Sequence, residues 1–442
     1  MRELLPTIAA AVTPLILLAT LLVGPTLGLV EWQPPILWTT EFGNIGPNIQ
    51  NQLTSITTDK TGLYAAGSLE TYSTATGYSS YSFLNRYDPN GGQVWSQNLG
   101  NSVVFGIGAG ADGVYVARSN GSAYVVQKYD LSGSPIWADQ LGTLTIYASP
   151  ISVGGTGVYV TGFGPQNPNN TTPLLVRAYD FNGNSVWTNA LANVNYGGAS
   201  RVYADSSGVY VTESDGVNPV DSHAFVSRYD INGALQWTRQ FDEPGFTCWC
   251  GTNGISGDAS GIYVLGSTRN ALPGQSLVGH TDTFIRKYDS KGNALWTIEF
   301  LAPYSTGASD EHISANPSGI FLLVFGSMLR YDSNGNRVWS IPLHQTTGAL
   351  SVGENNVYVG GPWGSDPGRK AFAEAYDVSS SLVLFGVNPP FSFVIAGLLA
   401  SAAALSVLWL RKGRRKRVRP STTAPPRYDS IRMPEDVRFP IG

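Results

Sequence analysis

The sequence predicts an all-β fold: a seven-bladed β-propeller closed by its N-terminal strand, with a hydrophobic segment at each end of the chain. Three observations carry this. A Tyr-Asp…Gly…Trp pattern recurs along the body, its two incomplete copies complement one another, and the composition favours short strands and turns over helices. Gly (51), Tyr (22) and Trp (11) are abundant while charged residues make up 13% of 442, a bias toward twisted strands joined by many turns.

The pattern reads RYDPNGGQVW (86–95), KYDLSGSPIW (128–137), AYDFNGNSVW (178–187), RYDINGALQW (228–237), KYDSKGNALW (287–296) and RYDSNGNRVW (330–339). Its fixed residues are Tyr87, Asp88 and Trp95; Tyr129, Asp130 and Trp137; Tyr179, Asp180 and Trp187; Tyr229, Asp230 and Trp237; Tyr288, Asp289 and Trp296; Tyr331, Asp332 and Trp339. In each copy Gly follows Asp by three residues and Trp follows it by seven. A seventh pair, Tyr376-Asp377, has no Trp after it, and Trp38 in LWTTEFG has no Tyr-Asp before it. A ring fills both gaps, because the N-terminal Trp strand completes the blade that the last Tyr-Asp strand leaves open. Between each Trp and the next Tyr-Asp lies a β-branched run such as GVYVTG (157–162) or GIYVLG (261–266), preceded by a polar turn and a further segment. Four strands recurring every 40–60 residues make a propeller blade.

Within a blade the Tyr-Asp strand should enter a tight hairpin, with Asn-Gly or Ser-Gly supplying positive φ angles and Asp bonding the turn's own amides. Tyr and Trp should fill the space between blades. These residues read as architecture, since an active site does not recur identically around a ring.

The domain layout follows. Residues 1–30 contain an uncharged stretch at 6–30, a signal peptide or an N-terminal membrane anchor. The propeller occupies about 36–378. The segment 389–410, opened by Pro389-Pro390, is long enough for a transmembrane helix. Residues 411–442 form a basic, Pro-rich tail whose RKGRRKRVR start (411–419) is a stop-transfer signal placing it in the cytoplasm. The expected location is thus a cell membrane crossed by one or two spans, with the propeller outside. From Arg411 onward lie 10 basic and 3 acidic residues, leaving 17 basic and 28 acidic in the rest. An acidic body excludes nucleic acid as its partner.

The repeat resembles the β-propeller repeat of bacterial and archaeal cell-surface and secreted proteins. It is also similar to the tryptophan-docking repeat of quinoprotein (PQQ-type) propellers, although the Asp-to-Gly spacing is one residue shorter here. The resemblance implies the fold and carries no activity, quinone ligand or metal ligand with it.

Function is expected on the face bearing the long links, at 67–81, 162–174, 212–223, 240–256, 266–282 and 301–312. The Tyr- and Ser-rich link 67–81 suits recognition of a surface protein or glycan. No cofactor is expected; calcium is the nearest candidate, at Glu213, Asp215, Asp221 and His223, though that spacing fits no standard loop. Cys248 and Cys250, the only cysteines, suit a disulfide in an oxidising compartment, with free thiols or metal or redox work as alternatives. Asn120, Asn169 and Asn170 head glycosylation sequons. His223, His280, His312 and His344 show no ligand spacing, and no nucleophile-elbow, Walker or dinucleotide motif appears in a strand–helix setting. The expected role is a cell-surface binding or scaffold module. A propeller enzyme with a site at the central channel, or an envelope-lattice component, are the alternatives.

Overall fold

A computed structural model describes residues 34–379 apart from 43–48, 74–76, 121–122, 142–150, 166, 169–171, 195–200, 217–221, 242–249, 302–310, 344–347 and 363–369. The segments 1–30, 389–410 and 411–442 therefore lie outside the described residues, as do Asp221, Cys248, Asn169, Asn170 and His344. Among the described residues no helix is long and apolar enough to cross a membrane.

The described strands form seven four-stranded antiparallel sheets, the blades of a propeller. Blades 1 to 6 span 49–100, 104–140, 151–194, 201–240, 251–301 and 312–342, each built from four consecutive strands. Blade 7 takes three strands from 349–377, and Ile36–Phe42 supplies its outermost strand by pairing with Ala371–Asp377. The ring closes as the two incomplete repeats require. The innermost strands are Ile49–Asp59, Val104–Gly110, Ile151–Gly154, Arg201–Asp205, Gly251–Asp258, His312–Asn316 and Ala349–Val352. Each touches its counterparts in the neighbouring blades, so together they wall the central channel.

The repeat residues join one blade to the next. The indole N–H of Trp38 donates to the carbonyl of Pro89 at 2.9 Å, and Trp95, Trp137, Trp187, Trp237 and Trp296 donate to Leu131, Phe181, Ile231, Ser290 and Ser333. Each acceptor directly follows the repeat Asp of the next blade. The indole also lies against the turn glycine there: a Cβ added to Gly91, Gly133, Gly183, Gly233 or Gly292 would come within 2.7–2.8 Å of it. On the indole's other side sits the VYV tyrosine of its own blade, as in Tyr159–Trp187 with centroids 6.0 Å apart. The Tyr of the following blade's Tyr-Asp pair is next, as in Trp187–Tyr229 at 6.3 Å. The tyrosines are fully buried, whereas most of the tryptophans keep an exposed edge. Burial raises the pKa of Tyr87, Tyr179, Tyr229 and Tyr288 above the ordinary phenol value.

The hairpin differs from expectation in one respect. Only its glycine takes positive φ, as in Gly233 at +87°, and the residue before it does not. The turn closes through Gly233 N–H to Asp230 C=O and Asp230 N–H to Ala234 C=O, and the strand register slips beside Tyr229. This is a type I turn with a glycine bulge. The Asp carboxylate accepts from amides two and four residues on, as Asp230 does from Asn232 and Ala234. In Asp130 the Ser132 hydroxyl and then the Ser134 amide hold the carboxyl below its usual range.

Replacing Gly233 by Ala both strains a left-handed backbone and drives a methyl into the Trp187 indole. It should cost about 2–3 kcal/mol of unfolding free energy by chemical denaturation, with Gly274→Ala (φ +77°, no atom within 4 Å of the added Cβ) costing clearly less. Deleting Ile36–Phe42 removes the closing strand and the Trp38 contact to blade 1, and should lower the melting temperature of the whole ring, not of one blade alone.

Candidate functional site: the channel mouth

The two faces of the ring differ. The hairpins inside each repeat lie on one face and are short. The links that lead into each innermost strand, and those between second and third strands, lie on the other. There the expected loop at 67–81 is largely strand: Gly62–Ser73 and Gly77–Tyr87 pair out to Ser73 opposite Gly77, and Ile49–Asp59 runs alongside from Ile49 opposite Thr71. Blade 1 therefore projects beyond the strand lengths of its neighbours. The link at 212–223 is shortened in the same way by pairing out to Gly216 opposite Ser222. The link between Thr268 and Asp282 folds down onto its own blade, with Leu272 buried in the core and its amide donating to Glu299 at 2.6 Å. Val278, beside it, is 63% exposed.

On this face the channel opens into a cavity of about 170 Å³ to which all seven innermost strands contribute. One structural position, four residues before the end of the innermost strand in blades 1, 2, 4, 5 and 6, defines the mouth. It is occupied by Ser55, Gly106, Arg201, Gly254 and His312, and by Ala349 at the matching register in blade 7. Four of these are small. The two large ones, Arg201 and His312, stand on blades 4 and 6 with Asn253 of blade 5 between them. Asn253 occupies a bulge, since the register skips between Thr252 and Gly254. Ile56, Ile107, Ile151, Ile255 and Ile313 line the rest with aliphatic surface.

The electrostatics follow from depth. Arg201 and His312 line the channel as half-buried side chains closely surrounded by protein. Burial lowers the Arg201 pKa to about 10, which leaves it a cation. Burial first, and the Arg201 charge second, lower His312 to about 4, which leaves it neutral at physiological pH. Its Nε2 is buried with no hydrogen-bond partner. Glu311, one residue before, is 4% exposed and turned elsewhere: it accepts from Asn253 Nδ2 at 2.5 Å and from Thr283 Oγ1 at 2.8 Å. Burial raises its pKa despite those two bonds. Glu311 thus anchors the Asn253 amide and does not line the cavity.

The sequence-derived candidates fall away from this mouth. Glu213 is buried within its blade and accepts from Ser227, His223 Nδ1 meets the Gln240 amide, and His280 is exposed on its link. Among the described residues no group of three His, Cys, Asp or Glu could hold a metal ion. Cys250 is buried and disulfide-bonded. Asn120 is exposed at the end of its strand. The mouth residues carried no sequence motif. What marks them is a large polar residue at a ring position otherwise held by Ser, Gly and Ala, legible only once the innermost strands are in register. A second set was visible but passed over, the Arg or Lys before Tyr-Asp. Arg86, Lys128, Arg228 and Lys287 lie over Tyr64, Tyr115, Tyr210 and Tyr263, and each donates to the carbonyl that also accepts from the blade's Trp.

No known family model matches the sequence, and no curated protein matches it. Among solved structures the chain is similar to BamB from Moraxella catarrhalis, at 14% identity and TM-score 0.43 over 77% of this chain and 98% of that one. It is similar to the Neurospora crassa Pan2 WD40 domain at 11% and 0.45, over 78% and 97%. The Pyrococcus horikoshii acylaminoacyl peptidase matches at 8% and 0.47, over 75% and 52%.

His312 gives the site a pH signature. Its folded pKa lies below the ordinary 6.5, so the unfolded chain takes up the proton first. Stability is full above about 6.5 and is lost as pH falls toward about 4, by up to about 3 kcal/mol. Glu311, raised, contributes with the opposite sign. Denaturant midpoints for the native chain should therefore fall more steeply between pH 6.5 and 4.5 than those of His312→Gln.

Proposed function

We propose that this chain is a membrane-anchored, extracytoplasmic binding module of the surface-propeller kind, whose ligand or partner meets the face that carries the channel mouth. The observation that carries this reading is the inequality of the two faces. One is a uniform set of hairpins consumed in joining blades. The other holds the projecting strands of blade 1, the links and a polar cavity.

Anchoring fits the same geometry. The closing strand starts at Ile36, opposite Tyr376 at the end of the last strand, so both ends of the ring leave from the hairpin face.

Two experiments on the full-length chain in intact cells test this. A cysteine at His280 should react with a membrane-impermeant maleimide from outside, and one at Ser430 only after lysis; label at 430 on intact cells overturns the topology. A photo-crosslinking residue at Leu277 on the cavity face should yield discrete adducts, while one at Lys291 on the hairpin face should not. The reverse pattern overturns the choice of face.

A further inference from the structure

Blade 1 leaves a gap in its own sheet. In blades 3, 5, 6 and 7 the fourth strand pairs as far as the first residue of the third, as at Thr172 opposite Val194 and Asp282 opposite Leu301. In blades 2 and 4 the amides of Leu141 and Phe241 carry the pairing on to Tyr124 and Ala224. In blade 1 it stops at Ser82 opposite Gly100, although the third strand begins at Gly77. Residues 77–81 are thus paired with 69–73 along one edge, and no described strand pairs along the other. We infer that this edge takes up an extended, uncharged segment of a protein partner as an added strand, in line with the end of Gln93–Gly100. This rests on the binding reading of the cavity face and names the class of partner that the face receives.

The fourth strand is turned away at a definite place. The register slips between Ser82 and Phe83, and Gly100 then takes φ +74°, with its amide on Asn98 Oδ1 at 2.8 Å. Ser82 Oγ donates to the Ser102 carbonyl at 2.5 Å. The Val103 amide donates to Ser119 Oγ of blade 2 at 2.7 Å, and its carbonyl accepts from the Ser119 amide at 2.8 Å. The chain is therefore committed to blade 2 three residues past Gly100 and does not return to cover 77–81. A Cβ added to Gly100 meets no atom within 4 Å, so nothing described crowds the end of that strand. Tyr81 holds the base of the edge in place, half-buried against the core cluster that contains Phe42, Leu69 and Phe83.

The edge itself selects the occupant. Outward N–H and C=O groups at every second residue are matched by another extended backbone. Exposed edges are ordinarily defended by Lys, Pro or a bulge. Residues 71–81, TYSTATGYSSY, hold no charge and no proline, and 77–81 pair with 69–73 without a register slip. A charged partner segment would find no counter-charge among those residues, so the segment that fits is uncharged. A second copy of this chain is a poorer occupant. Two identical edges pair only antiparallel, which turns the two hairpin faces in opposite directions, and copies anchored in one membrane do not meet that way.

The test uses the full-length chain purified in detergent, with a displayed library of random dodecapeptides as the probe. Selected peptides should share an uncharged core, and their binding should slow amide exchange at alternate residues of 77–81. N-methylation along the peptide core should weaken binding about 5- to 10-fold at every second residue and little at those between. Ser79 and Ser80 turn their N–H groups to opposite edges. Of Ser79→Pro and Ser80→Pro, the one at the outward N–H should lower affinity about 10-fold with the melting temperature unchanged. The other breaks a bond to 69–73 and should lower the melting temperature. Several results overturn the inference: no binder from the library, slowed exchange only elsewhere, tolerance of N-methylation throughout, or unchanged affinity in both proline variants. A dimer of the native chain by light scattering that the outward proline abolishes also overturns it, in favour of a second copy. Should a proline variant fail to fold, the N-methylation pattern on the native chain decides alone. The Leu277 crosslinks report on the face as a whole, so the binding face can stand while this edge fails.

Discussion

The ring depends on one contact repeated around it: an indole laid on the turn glycine of the next blade, with its N–H on the carbonyl beside that glycine's Asp. Blades in a propeller share no backbone hydrogen-bond ladder, so side chains must fix their mutual angle. A flat indole provides area, and its single donor provides position. In four blades an Arg or Lys donates to the same carbonyl, which turns a one-point contact into a two-point clasp and places the cation over an aromatic ring.

This explains why the pattern tolerates so little variation. Gly233 must adopt φ +87° and also leave room for an indole. Asp230 must orient the turn amides so that the carbonyl of Ile231 points outward to Trp187. Blades 3 and 7 have Ala178 and Ala375 where the other five have a cation, and in blade 3 Asn189 donates to the Gly233 carbonyl at 2.6 Å. Blade 7 has no Trp of its own in the repeat and receives Trp38 from the other end of the body. Closure thus ties the first described strand to the last, and opening the ring costs both a strand pairing and a clasp.

With cohesion assigned to the outer strands and the hairpin face, the inner strands and the opposite face are free to vary. A belt of serine-to-amide bonds still links the inner strands of most blades. Elsewhere glycine allows direct contact, as where Gly257 lies against the Tyr203 ring. Above that belt the mouth positions are mostly small. Arg201 and His312 stand out as the two large polar side chains at that ring position, and the Nε2 of His312 is buried without a hydrogen-bond partner.

The sequence by itself determined the blade number, the strand order and the closure. Each repeat residue satisfies a local requirement, a turn angle, a turn acceptor or a buried ring, and so recurs at fixed spacing. It also marked Tyr87 and its counterparts in the Tyr-Asp pairs as residues packed between blades and located the face that carries the long links. It misjudged where those links end, because pairing at 67–81 is set by three strands extending together and not by the composition of any one of them. The channel mouth was decided by tertiary structure alone. Arg201, Asn253 and His312 stand in three different blades, 52 and 59 residues apart in the chain, in segments with no shared motif. Only ring closure, which brings the ends of separate inner strands to one axis, makes them line one cavity.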